Sequence, residues 1–297
     1  MANKLNPICA AMVALTMSCT LTLDTVAGRA ASARSVVSHS WAGYVATGDV
    51  GQPVSFQSVA GAWTVPAVTC RQSDAGAASA AWIGLGGYTS RSTNVEQVGT
   101  DSNCTAAAKP AYSAWFELVP YPAYSISAKV QPGDVISGSV TISPGRVALH
   151  VKDETAGWSF TRRISWALPD SSSAEWIVEA PASCRTFNCA RPSLANFGSV
   201  TIRKIAAAAN TNAGTLASPA WSVTALRLVP IPQAGTLGAD DPGANSSAAQ
   251  EARARAAMKS PAGATPGPFS TDGRTFAISW TANGALPARE PVSRDFG

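Results

Sequence analysis

Val135-Ile136-Ser137-Gly138-Ser139-Val140-Thr141-Ile142 alternates apolar with small polar residues, and after Pro144-Gly145 the alternation resumes in Arg146-Val147-Ala148-Leu149-His150-Val151-Lys152. A period of two sends successive side chains to opposite faces of a strand, and a Pro-Gly step is turn chemistry. The pair therefore reads as antiparallel β structure. Working outward, short runs of the same kind recur at Val54–Pro66, Ala80–Leu85, Ala111–Leu118, Tyr124–Val130, Trp158–Ile164, Glu175–Glu179, Phe197–Ile205 and Trp221–Val229. Pro120-Tyr121-Pro122 and Pro132-Gly133-Asp134 punctuate them. No segment carries a sustained helical stripe. Many short strands at this spacing predict an all-β sandwich or barrel.

The ends of the chain read differently. Lys4, an apolar stretch from Ile8 to Leu23 and small residues through Ala33 have the order of a secretory signal peptide, expected over residues 1–33. The apolar stretch is short for a membrane span, which needs about 20 residues. A secreted protein without stable membrane association is expected. The β domain is expected over residues 34–232. Gln233–Pro268 is dominated by Gly, Ala, Pro and Ser and reads as a flexible insert. Thr275–Trp280 alternates again, so the chain is expected to return to the sheet within residues 269–282, leaving 283–297 as a frayed tail.

Of six cysteines, Cys9 and Cys19 would leave with the signal peptide. Cys70, Cys104, Cys184 and Cys189 then suggest two disulfides, and sequence alone allows three pairings. The short loop between Cys184 and Cys189 favours that pair, with Cys70–Cys104 as the other. A zinc site is disfavoured, because CxxC spacing is missing and the only histidines are His39 and His150. His39 reads as lying upstream of the first strand, and His150 as a strand residue.

Composition and motifs exclude several classes. Hydrophobic residues make up 46% and charged residues 13%, which is not the make-up of a disordered polyelectrolyte. The net charge of +4 is scattered, and its densest pairs, Arg162-Arg163 and Arg203-Lys204, would point to opposite strand faces. Nucleic acid is not an expected partner. No Gly-x-Ser-x-Gly elbow accompanies the two histidines, and Gly84-Leu85-Gly86-Gly87 opens no helical pattern. No metal or cofactor is expected.

Carboxylates remain. Ala174-Glu175-Trp176-Ile177-Val178-Glu179 places Glu175, Ile177 and Glu179 on one strand face and Trp176 and Val178 on the other. Ala111-Tyr112-Ser113-Ala114-Trp115-Phe116-Glu117 sets another acid among aromatics. Taken alone, both patterns fit a solvated outer face.

These segments also form an ordered set. Ser40-Trp41-Ala42-Gly43, Gly61-Ala62-Trp63-Thr64-Val65-Pro66, Ala81-Trp82-Ile83-Gly84, Gln97-Val98-Gly99-Thr100-Asp101, Ala114-Trp115-Phe116-Glu117, Ala174–Glu179 and Asn196-Phe197-Gly198-Ser199-Val200 follow one another along the chain. In that order they resemble the glutamic peptidases (eqolisins), from about Ser40 to Val229. The resemblance implies a concanavalin A-like sandwich of two curved antiparallel sheets. It implies a catalytic dyad of Gln97 and Glu179, with Trp82, Asp101 and Glu117 beside it and Trp41 as a wall of the substrate site. It leaves Glu175 a structural role. The implied activity is an acid endopeptidase acting on protein or peptide substrates, as a monomer. The chain departs from the family's pattern at Gly86, Ser113, Val119 and Asn196, which thins the acidic lining of the cleft. Two other classes remain open on the sequence: a glycoside hydrolase using Glu117 with Glu179, and a non-catalytic carbohydrate-binding sandwich.

Overall fold

The computed structural model describes residues 33–49, 52–89, 92, 94–167, 169–181, 183–185, 188–190, 192–229 and 262–282, with backbone alone at 183–185 and 188–190. The expected signal peptide, most of the Gly/Ala/Pro/Ser-rich stretch and residues 283–297 lie outside the described residues.

Apart from a single 3-10 turn at Gln72–Asp74, the regular structure of the described residues is all strand. Its elements are β1 (Arg34–Ser38), β2 (Trp41–Thr47), β3 (Phe56–Thr64), β4 (Ala80–Gly86), β5 (Val95–Cys104), β6 (Pro110–Leu118), β7 (Tyr124–Ile126), β8 (Val135–Ser143) and β9 (Arg146–Asp153). They continue with β10 (Ser159–Ser165), β11 (Ser173–Glu179), β12 (Ser183–Arg185), β13 (Asn188–Ala190), β14 (Ser199–Ala209), β15 (Asn212–Gly214), β16 (Ser222–Leu228), β17 (Gly263–Pro266) and β18 (Phe276–Thr281). One continuous path runs β10-β9-β8-β3-β14-β18-β17-β16-β2-β11-β4-β5-β6-β7. All its pairings are antiparallel; β1 alone adds in parallel, to β16.

The path folds over on itself. β3 lies against β4 and β11, β8 against β4 and β5, and β9 against β5, although none of these pairs share a ladder. The result is a sandwich of two antiparallel layers. Alternation explains its filling: Val140, Leu149, Ile83, Val98, Trp63 and Trp176 meet between the layers. The intervening residues of the second layer face the other way, where Trp41, Val45, Trp82, Trp115 and Ile177 make a smaller cluster. Strands β2, β11, β4, β5 and β6 therefore bury side chains on both faces.

Three features differ from the sequence reading or go beyond it. β5 does not alternate visibly, because Glu96, Gln97, Thr100 and Ser102 are buried polar residues on both of its faces. β1 precedes β2, so His39 sits in the turn between two strands, where Nδ1 lies 2.7 Å from the Val229 carbonyl oxygen. β17 falls at the end of the Gly/Ala/Pro-rich stretch and pairs with both β16 and β18 through its backbone. Backbone pairing leaves no hydrophobic signature. The return to the sheet through β18 sets that strand between β14 and β17.

Cys70 and Cys104 form a disulfide. Cys184 stands opposite Cys189 in the β12–β13 register.

β11 is held tightly from the side of β2. Gly43 has φ +146°, and a β-carbon there would lie 2.0 Å from the Trp176 carbonyl oxygen. Only glycine fits that approach. Gly43→Ala is expected to cost about 3 kcal/mol or more, measured as a lower urea midpoint at acid pH; an unchanged midpoint would refute the close packing.

Candidate active site

The outer face of β2, β11, β4, β5 and β6 carries every side chain that the family resemblance singles out. Three rows cross it. Glu175, Gly84, Gln97 and Glu117 are register partners in one; Ile177, Trp82, Gly99 and Trp115 in the next; Glu179, Ala80, Asp101 and Ser113 in the third. Trp41 on β2 pairs with Glu179 across the neighbouring ladder. Even residue spacing along each strand is what puts these groups on one side.

Each polar group is held by a specific partner. Gln97 is 5% exposed, and its Nε2 donates to Glu117 Oε2 at 2.6 Å. Its Oε1 is buried and accepts no hydrogen bond from the described residues. An orphaned buried acceptor costs free energy unless a ligand or water serves it, so it marks a place where such a group belongs. Glu179 is half-buried, and its Oε2 accepts from Trp82 Nε1 at 2.9 Å. The Trp82 ring in turn meets Trp41 edge-on, centroids 5.0 Å apart. Asp101 accepts from Ser113 Oγ and from Trp115 Nε1, both at 2.9 Å.

Ser113 and Trp115 are contributions that sequence reasoning did not assign. Ser113 stands where the family pattern has an aspartate, and in this chain it donates a hydrogen bond to Asp101 in place of adding a charge. The signal that could have found it is its register position, directly opposite Asp101.

The face favours uncharged carboxyls. Burial pushes Glu117 above the usual carboxylate range, the Gln97 amide partly offsets this, and the charge of Asp101 adds to the rise. Burial likewise raises Asp101, against the pull of the Ser113 and Trp115 donors. Glu175 shares the face but not the setting. It is fully buried, which removes the solvated surface that its pattern alone suggested. Among the described residues no cluster of three His, Cys, Asp or Glu side chains could hold a metal ion.

A separate hollow lies elsewhere. A cavity of about 380 Å³ is lined by Phe116, Leu118, Tyr121, Tyr124, Phe160 and Trp166 among others. Phe116 and Leu118 flank Glu117 in sequence and so point to the opposite face of β6. The cavity is therefore not where Gln97 and Glu179 meet solvent.

Residues 39–235 match the model of the peptidase A4 family. The chain belongs to that family. Two solved structures place the fold beside known family members. One is scytalido-glutamic peptidase with a transition state analog inhibitor, at TM-score 0.60 and 19% identity over 82% of this chain and 98% of that one. The other is SCP-B, a member of the eqolisin family of peptidases in complex with the tripeptide Ala-Ile-His, at TM-score 0.57 and 19% identity over the same shares. No curated protein matches the chain. At such identity the likeness establishes the sandwich; the family assignment makes the protein a glutamic-type endopeptidase.

The Gln97–Glu117 contact has a measurable consequence in this peptidase A4 chain. Glu117→Ala strands the buried Gln97 amide and is expected to lower stability by about 1–3 kcal/mol. Urea unfolding at acid pH checks this, and no loss would mean that the amide finds another partner.

Proposed function

We propose that this protein is a secreted acid endopeptidase in which Glu179 is the general base and Gln97 binds the water and the oxyanion. The observation that carries the reading is the state of Gln97. Its amide is fixed through Nε2 while its buried Oε1 takes no protein hydrogen bond, on the face that also bears Glu179.

Peptide hydrolysis needs an activated water, a stabilised tetrahedral oxyanion and a proton for the leaving amine. Glu179, held from one side by Trp82, removes a proton from water as that water attacks the carbonyl carbon. It returns the proton to the amine as the C–N bond breaks. One Nε2 hydrogen of Gln97 is engaged by Glu117, which fixes the orientation of the amide. The second Nε2 hydrogen is left for the oxyanion, and Oε1 accepts from the attacking water. A neutral amide has no proton to lose in this range, so Gln97 serves unchanged throughout acid pH. Glu117 acts on Gln97, which argues against pairing it with Glu179 as the two acids of a glycosidase.

Peptide substrates are supported by the family and by the peptide ligands of its structural neighbours. Export is supported by the Cys70–Cys104 disulfide, since such bonds persist in oxidising compartments. No helix of the described residues is long and apolar enough to cross a membrane.

Hydrolysis of a denatured protein should be followed from about pH 2 to about pH 7 for the wild type and two variants. Glu179→Gln is expected to be folded and nearly inert, and Gln97→Ala to lose about 10²–10³ in kcat. Full activity in folded Glu179→Gln would remove the proposed base.

A further inference from the structure

Beyond the site, three more acids converge where the connection from β10 enters β11. Glu96 and Glu175 are fully buried, and Asp170 is partly buried beside them. Glu96 Oε1 accepts from Trp166 Nε1 at 2.8 Å, and Glu96 Oε2 from the Asp170 backbone N–H at 3.2 Å. Asp170 Oδ1 accepts from the Ser172 N–H at 2.8 Å, and its Oδ2 takes the Ser92 hydroxyl. Ser92 Oγ accepts from the Gly87 N–H at 2.6 Å, which ties in the loop after β4. Among the described residues no hydrogen bond of ordinary geometry reaches either buried Glu175 carboxyl oxygen, and the donor beside them is the Ser173 hydroxyl.

The fit is close. Gly86 has φ +82°, and a β-carbon there would come within 2.5 Å of Asp170 Cβ. Asp170 thus fills the space that a side chain at position 86 would take.

No cation balances the cluster among the described residues. β2 and β4 set Val45 and Gly84 opposite Glu175, while β4 and β6 set Leu85 and Leu118 opposite Glu96. Of the other ionisable groups on flanking elements, Tyr88 feels Arg34, and Glu117 feels Asp101. Arg162 and Arg163 on β10 are exposed. Glu96 lies on the Leu85 side of the layer and Glu175 on the Gly84 side, yet Glu175 feels the charges of both Glu96 and Asp170. Buried carboxyls that repel one another with no cation near stay buried most readily when neutral.

The cluster also sits on the strands of the proposed dyad. Glu96 is the residue before Gln97, and Glu175 lies on β11 four residues before Glu179. We propose that Glu96 and Glu175, with Asp170 packed against Glu96, form a buried acid latch that holds β5, β11 and the connection bearing Trp166 and Asp170 together while Glu96 and Glu175 carry protons. Raising the pH releases it, which limits the enzyme at its upper end independently of the catalytic base. The unfolding behaviour stands on the cluster alone; the effect on activity rests on the Gln97–Glu179 reading.

The sign follows from the buried state. Desolvation pushes Glu96 from the ordinary 4.5 up to about 8, against the pull of Trp166. Burial, with the fields of Asp170 and Glu96, holds Glu175 well above its ordinary range. A raised folded-state pKa gives stability that is complete below the ordinary carboxylate range. It is lost as pH rises through the folded value, here between about 4.5 and about 8 for Glu96.

The test compares wild type with Glu96→Gln, Glu175→Gln and Asp170→Asn at about pH 4 and about pH 8. Urea midpoints are measured, together with activity at acid pH after incubation at the higher pH. The wild-type midpoint is expected to fall steeply with pH, and most activity to be lost on incubation. Glu96→Gln and Glu175→Gln, neutral at every pH, should flatten the fall and keep most activity after incubation, with kcat at acid pH within about twofold of wild type. An unchanged slope in both folded variants overturns the latch. Flattened unfolding with no acid activity in any form, wild type included, would leave the latch standing and sink the dyad. Should the variants fail to fold, difference titration of native against unfolded wild type decides the matter. About two protons retained per native molecule above pH 6 are expected, and none would overturn the proposal.

Discussion

The hydrogen bond from Trp82 Nε1 to Glu179 joins the demands of packing to those of chemistry. Trp82 is fully buried, lies edge-on to Trp41, and sits over Gly99, where a β-carbon would come within 2.7 Å of Trp82 Cβ. A fully buried ring packed against Trp41 has little freedom to turn, so its N–H is a well-placed donor. Glu179 is thereby oriented by the same contacts that close the outer face of the layer. Gln97 is treated similarly through Glu117. The site needs no metal to be rigid, because two adjacent ladders and an indole set its geometry.

That rigidity depends on strands able to bury both faces. A layer whose inner face carries Trp176, Ile83 and Val98 while its outer face carries Trp82, Trp115 and Ile177 has no solvated side to spare. Room for the large rings comes from small residues beside them, as at Gly99 against Trp115 and Gly61 against Trp176. Such a layer excludes water from its polar groups. Glu96, Gln97, Thr100 and Ser102 on one strand are all buried, and each must be satisfied by a neighbour, by protonation or by a ligand.

Legibility in the sequence follows from the same physics. Strands facing the core on one side, such as β8 and β9, announce themselves by alternation, and their ranges came within a residue of the observed ones. β5 was invisible to that test, since polarity on both faces erases the period of two. It was recovered only by the resemblance of Gln97–Asp101 to a known motif. β17 contributes backbone pairing and almost no side-chain pattern, so a composition rich in Gly, Ala and Pro hid it. For the candidate site, alternation placed Glu175 and Glu179 on one face correctly, but it carries no information about depth. Whether an acid on that face meets solvent is decided by what packs over it, which the period of two does not record.

Depth is what separates the acids of this protein into two kinds. Glu117, Asp101 and Glu179 each accept a hydrogen bond from a side-chain N–H, and they line a face partly open to solvent. Glu175 has only the Ser173 hydroxyl beside it, and Glu96 only the Trp166 indole and a long backbone contact. One β-strand carries a member of each kind, Glu175 and Glu179, two side-chain steps apart on the same face. Moving along that strand from Ser173 toward Glu179, the environment passes from a covered pocket without cations to the rim of a cleft. Burial holds the carboxyl at one end well above its ordinary range, while the acid at the other end accepts the Trp82 indole N–H. The same strand therefore carries a covered acid set by packing and a more open one set by the Trp82 indole.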